Sequence, residues 1–207
     1  MKNKNIKIIV IAIMTLVILA GIVVTGILGF NKELKYSQGQ SIDVYIEQEA
    51  DVSKIKEIVD ENLGNSNNMV QTVEIYKDLV TIRAKEITDE QKNNIVNKIK
   101  ESYEFSQTAE DTTINTVPET KLIDMYKKYI VPFIISGVLV LVYMAIRYYK
   151  KGILKVIGRT IILPIFGELF LLSIIAIARI PVGRFTPVLV IAMYIASILM
   201  VIRQNEK

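Results

Sequence analysis

Residues 8–30 read IIVIAIMTLVILAGIVVTGILGF, with no charged side chain anywhere in the run. At 1.5 Å of rise per residue, a helix over this stretch is about 34 Å long, enough to cross a hydrocarbon core of about 30 Å. Lys2, Lys4 and Lys7 precede it, as in the charged start of a secretory signal. The run is longer than a signal's apolar segment and no Ala-x-Ala site follows it, so it reads as a retained anchor.

About a hundred mostly polar residues come next, and three further apolar runs follow. The first of these, Ile130 to Ile146, is short for a span. Tyr129, Tyr143, Tyr148 and Tyr149 extend it into the interfacial regions where such rings prefer to sit, giving a span over 129–149. The next covers 156–178 and is interrupted by Arg159 and Glu168; the last covers 185–202. The reading is therefore a membrane α-helical protein with four transmembrane helices, at 8–30, 129–149, 156–178 and 185–202. Residues 31–128 form one water-soluble domain and its linker between the first and second spans.

Orientation follows from the lysines and arginines of the short segments. Lys2, Lys4, Lys7, Arg147, Lys150, Lys151, Lys155, Arg159, Arg203 and Lys207 lie on one side, and only Arg179 and Arg184 on the other. Cytoplasmic loops carry the excess of Lys and Arg, and long domains do not count. Residues 1–7 and 203–207 are thus expected in the cytoplasm and 31–128 outside. The net charge of +4 is accounted for by this topology, so nucleic acid is not an expected partner. The chain has no Cys, His or Trp. Structural zinc, haem, thiol redox chemistry and a His-based triad each need one of those side chains, so no cofactor or metal is expected.

Inside the external segment the apolar period changes several times. Ile42, Val44 and Ile46 alternate with Asp43, Tyr45 and Glu47, as in a half-buried strand. Asp51 then caps a helix with Val52, Ile55, Val59 and Leu63 on one face, ended by Gly64. Met69–Tyr76 and Leu79–Ala84 are strand-like and separated by Lys77-Asp78, which predicts a hairpin. Thr88 and Gln91 form a capping box for a second helix carrying Ile95, Val96, Ile99 and Tyr103 on one face. Residues 65–68 are a loop, and 105–120 reads as a linker containing a weaker strand, Thr112 to Val117. The order strand, helix, strand, strand, helix, strand predicts an α+β ferredoxin-like (βαββαβ) domain. Its open sheet face would carry Asp43, Tyr45 and Glu47.

A span, an external βαββαβ domain and then a cluster of spans resembles the SecD/SecF protein-export family of the resistance–nodulation–division superfamily. Local motifs echo the SecF type. Gly39, in Tyr36-Ser37-Gln38-Gly39-Gln40, is similar to half of a Gly-Gly pair that opens the family's domain. Val117-Pro118 resembles a Val-Gly-Pro turn before the second span, and Arg147-Tyr148 an Arg-aromatic-Glu motif after it, with Tyr149 in place of the acid. Tyr194 matches the tyrosine of Gly-Tyr-Ser-x-Asn-Asp in the fourth span, and Arg203-Gln204-Asn205-Glu206 resembles a shortened Arg-x-Arg-Glu-Asn ending. The Asn-Asp of that motif falls on Ser197 and Ile198 here, and the family's fifth and sixth spans have no counterpart.

The resemblance implies a SecF-like accessory subunit, truncated to four spans, in the bacterial cytoplasmic membrane. It would assist polypeptide export beside the Sec translocon or a SecD-like subunit, touching the exported polypeptide, the partner subunit and membrane lipid. A competing reading is a non-transporting scaffold or sensor that binds an extracellular partner through the same domain. An enzyme is not expected, because no nucleophile–base or metal constellation occurs.

Glu168 is the only acid deep within a span. An ionised side chain at a helix centre costs about 2.5–3.5 kcal/mol on insertion scales, so such a residue faces a partner helix or water. Glu168 and Tyr194 are the candidate intramembrane polar pair. A hydrogen bond between them would serve packing, and a proton relay is the other role open to the acid. Pro164, one turn earlier, removes a backbone bond and predicts a kink. Arg159 lies about 13 Å along the helix from Glu168, too far to pair with it, and is expected to snorkel to the interface.

Overall fold

The computed structural model describes residues 2–64, 68–73 and 76–206, with side chains described for all of these except 2–4, 73 and 76. The chain divides into two compact units, one made of residues 1–32 and 122–207 and the other of Glu33–Lys121.

The second unit contains β1 (Gly39–Tyr45), α1 (Val52–Leu63), β2 (Met69–Val73), β3 (Tyr76–Ala84), α2 (Asp89–Ser102) and β4 (Ile114–Val117). The strands form one antiparallel sheet in the order β2-β3-β1-β4, the order of a split βαβ domain. Strand alternation sends Ile42 and Val44 of β1 and Val80 and Ile82 of β3 into a core with Ile55 and Val59 of α1 and Ile95, Val96 and Ile99 of α2. Both helix starts are capped as their residues dictate. The Asp51 carboxylate accepts from the Ser53 amide at 2.9 Å. Thr88 and Gln91 exchange side-chain to backbone bonds of 3.0 and 3.2 Å. After α1, the Lys56 ammonium and the Asn68 amide both donate to Asp60, at 2.6 and 2.7 Å.

Three expectations change within this unit. Lys77 and Asp78 are not the hairpin turn; they lie inside β3, where the Asp78 carbonyl accepts from the Ile46 amide at 2.7 Å. Pairing of Val73 with Tyr76 places the connection at 74–75, outside the described residues, as are 65–67 of the expected loop. Glu47 is not on the open sheet face with Asp43 and Tyr45. It follows the end of β1 with a φ of 63° and accepts from Ser106. The stretch 105–112 is no slack linker. β4 pairs only with residues 39–42 of β1, and beyond it the Gln107 side chain takes over. Its oxygen accepts from the Tyr45 amide at 2.7 Å, and its nitrogen donates to the Asp43 carbonyl at 3.3 Å.

Among the described residues the first unit holds four helices long and apolar enough to cross a membrane. They are αA (Lys2–Leu28), αB (Leu122–Arg147), αC (Ile153–Ile177) and αD (Thr186–Glu206). αB starts seven residues before the expected span, because Asp124, Lys127 and Lys128 occupy helical turns that hydropathy alone does not mark. It also contains Pro132, which removes one backbone donor from within the helix. αC packs against αA on one side and αD on another. Both contacts use small residues. A Cβ on Gly21 would come within 2.3 Å of the Ser173 side chain, and one on Gly167 within 2.7 Å of Ser197 Oγ. Close backbone approach is the usual basis of helix association in lipid, where no hydrophobic drive separates helix from solvent.

Candidate functional site

The chain is a multi-pass membrane protein with an α+β domain inserted between its first and second spans. Its candidate site is built by αC, the central helix, and by what αB and αD present to it.

Glu168 lies on αC one turn after the buried Pro164. Both carboxyl oxygens are buried, and neither has a hydrogen-bond partner among the described residues. The expected bond to Tyr194 is not made. The reason is the rotation of αD, which turns Met193 and Ser197 toward Gly167. Successive helical residues are about 100° apart, so Tyr194 faces the next side. There its ring packs on Phe133 of αB, with centroids 5.0 Å apart and planes tilted by 59°. Ser197 is buried against αC, where a Cβ on Gly167 would meet its hydroxyl; Ile198 instead lines a cleft.

That cleft is an open, mostly apolar cavity. It encloses about 750 Å³ between αB and αD, with Leu172 of αC also lining it. Tyr126, Tyr129, Phe133, Val190, Tyr194 and Leu199 mark its length. Sequence reasoning missed it, because each helix reads as uniformly apolar and the gap depends on how αB splays from αD.

One end of the bundle is tied by backbone. The αC–αD turn donates from the Val182 amide to the Asn31 carbonyl at 2.7 Å, and Asn31 returns a bond of 2.8 Å to the Arg179 carbonyl. The Tyr126 hydroxyl donates to the Gly183 carbonyl at 3.2 Å. At the other end Arg147 donates to the Tyr143 hydroxyl and forms an ion pair of 3.4 Å with Glu206. Arg159 donates to the buried Asn205 at 3.5 Å. Two segments singled out in the sequence, Arg147-Tyr148 and Arg203 to Glu206, thus meet in space. The remaining two lie in the α+β unit. Gly39 opens β1 and is paired with Val117, and the exposed Pro118 ends β4.

No protein-family model matches this sequence, and a search of curated proteins gave no significant match.

Proposed function

We propose that this protein is a SecF-like accessory subunit that assists polypeptide translocation through the Sec channel of the bacterial cytoplasmic membrane. The observation that carries the reading is the placement of a βαββαβ domain between the first and second of four spans. The meeting of Arg147 with Glu206 supports it, because it joins two segments that resemble the family's motifs. In this reading both termini are cytoplasmic. The α+β domain lies outside, where it meets the emerging chain or a SecD-like subunit. Proton coupling is not assigned to Ser197 and Ile198, which cannot titrate; Glu168 is the one intramembrane acid left for it.

The test is affinity purification of the tagged full chain from cross-linked membranes of its own host. Recovery of Sec channel subunits at a stoichiometric level is the expected result. Their absence, with a different extracytoplasmic protein recovered through residues 33–121, favours a scaffold or sensor instead.

A further inference from the structure

We propose that the free edge of β2 takes up an extended stretch of exported polypeptide as an added strand, an inference that rests on the SecF-like reading. β2 lies at one end of the sheet and pairs only with β3. In an antiparallel ladder the amide and carbonyl of one residue point to the same side, and that side alternates along the strand. The Asp78 carbonyl accepts from the Ile46 amide, on the β1 side, so Leu79, Thr81 and Arg83 turn their backbone groups to β2. Thr81 pairs with Gln71 and Arg83 with Met69. Val70 and Thr72 therefore point their amides and carbonyls outward, and beyond the ladder neither makes a hydrogen bond among the described residues. Two residues of a strand span about 6.8 Å, so these groups repeat at the spacing of another extended backbone.

The opposite edge of the sheet is protected. Past β4 the Gln107 side chain occupies the Tyr45 amide and the Asp43 carbonyl. Along β4 the same alternation turns Ile114 and Thr116 outward, and the next outward position is Pro118, which has no amide hydrogen. Proline and charged side chains are common defences of a strand edge against pairing with another chain. Met69–Val73 contains neither. Gln71 is exposed, and Val70 and Thr72 are only half-buried, so the edge is open to a partner. Main-chain bonds to an added strand are indifferent to the partner's side chains. A chain emerging unfolded brings unpaired backbone groups of its own, and a subunit that meets many exported sequences needs a contact of this kind.

A photo-reactive amino acid is placed at position 71, or at the exposed position 97 of α2, in the full chain within membranes of its own host. Illumination during active export should join position 71 to many different exported polypeptides, identified by mass spectrometry, and position 97 to few. Thr72→Pro removes one outward amide and leaves the ladder with β3 intact. Loss of that one hydrogen bond should lower the adducts at position 71 about 5-fold. Thr116→Pro makes the same change on β4 and should leave them unchanged. If Thr72→Pro fails to accumulate, the adducts formed at position 71 without it still decide the matter. No excess at position 71 over position 97 overturns the proposal. So do undiminished adducts in Thr72→Pro, or adducts with a second copy of the chain alone or with one other protein alone. Sec channel subunits that co-purify while position 71 forms no adduct would end this inference and leave the SecF-like reading standing; their absence would end that reading itself.

Discussion

Ile99 is fully buried on the inner face of α2, between the helix and the sheet, whereas Asn97 on the same helix is exposed. Truncating Ile99 to Ala removes three carbons. At about 0.8 kcal/mol for each buried methylene this is about 2.4 kcal/mol, and the cavity left behind brings the expected loss to about 3–4 kcal/mol. A domain the size of residues 33–121 has a total stability of roughly 4–13 kcal/mol, so the variant loses a large share of it and melts lower. Each kcal/mol corresponds to about 4–8 °C in a domain of this length, which predicts a drop of at least 12 °C. Ile99→Asp goes further, because a charge without a partner is placed in the core, and should leave the domain unfolded at neutral pH. Asn97→Asp introduces the same charge on the solvent side and should change stability by no more than about 0.5 kcal/mol. The assay is thermal and urea unfolding of the isolated domain followed by circular dichroism. Equal melting of the two aspartate variants would refute the assigned helix face and, with it, the packing of α2 on the sheet.

Three further outcomes are expected. The chain has no native Cys, so Lys54→Cys and Lys151→Cys can be labelled singly in intact cells with an impermeant thiol reagent; position 54 should react and 151 should not, and the reverse pattern sinks the orientation. Because Glu168 has no hydrogen-bond partner among the described residues, Glu168→Leu should raise the thermal midpoint of the detergent-solubilised protein, by about 1–3 kcal/mol of relieved desolvation, while Glu168→Gln should not. Loss of export in both variants with that stability intact would mark the acid as functional, and a lower midpoint for the leucine variant would show that a partner had been missed. In the α+β domain, the Ser106 hydroxyl and amide hold Glu47 below the usual carboxylate range. The Lys56 and Asn68 side chains do so for Asp60, and the Thr108 hydroxyl and amide for Asp111. Depressed carboxylates contribute stability that is present above their unfolded pKa and lost as pH falls through the folded one, so the urea midpoint should hold near neutrality and fall below about pH 4; a midpoint flat to pH 2 would contradict these contacts.

The parts of this fold that were legible in the sequence are those set by local rules. Period-two alternation at Ile42–Ile46, the Asp51 cap and the Thr88–Gln91 capping box are each written within a few residues, and each appears in the structure. The spans were legible for the same reason, since a membrane demands an unbroken apolar length. What escaped depends on partners distant in the chain. Gln107 completes the edge of a strand sixty residues earlier, and no local pattern distinguishes it from a linker glutamine. The sequence offers Tyr194 as a partner for Glu168 but does not fix the rotation of αD; the contact of Ser197 with Gly167 does. The hairpin misplacement has a smaller cause. Lys77-Asp78 is as polar as a turn, yet its carbonyls are used by the amides of Ile46 and Ala50, just past β1.

The close fit of Gly21 against Ser173 bears on the order in which the protein is made. These residues are about 150 positions apart, and the Ser173 hydroxyl bonds back to the Ile18 carbonyl at 3.4 Å. At a synthesis rate of about 5–20 residues per second, αA enters the bilayer roughly 8–30 s before αC is available to it. For that interval Gly21 faces lipid, open to any other helix that can approach as closely. Insertion of the first span is therefore separable from its assembly. A replacement anchor of equal length and apolarity would still insert, yet leave αC without the close contact that Gly21 gives it.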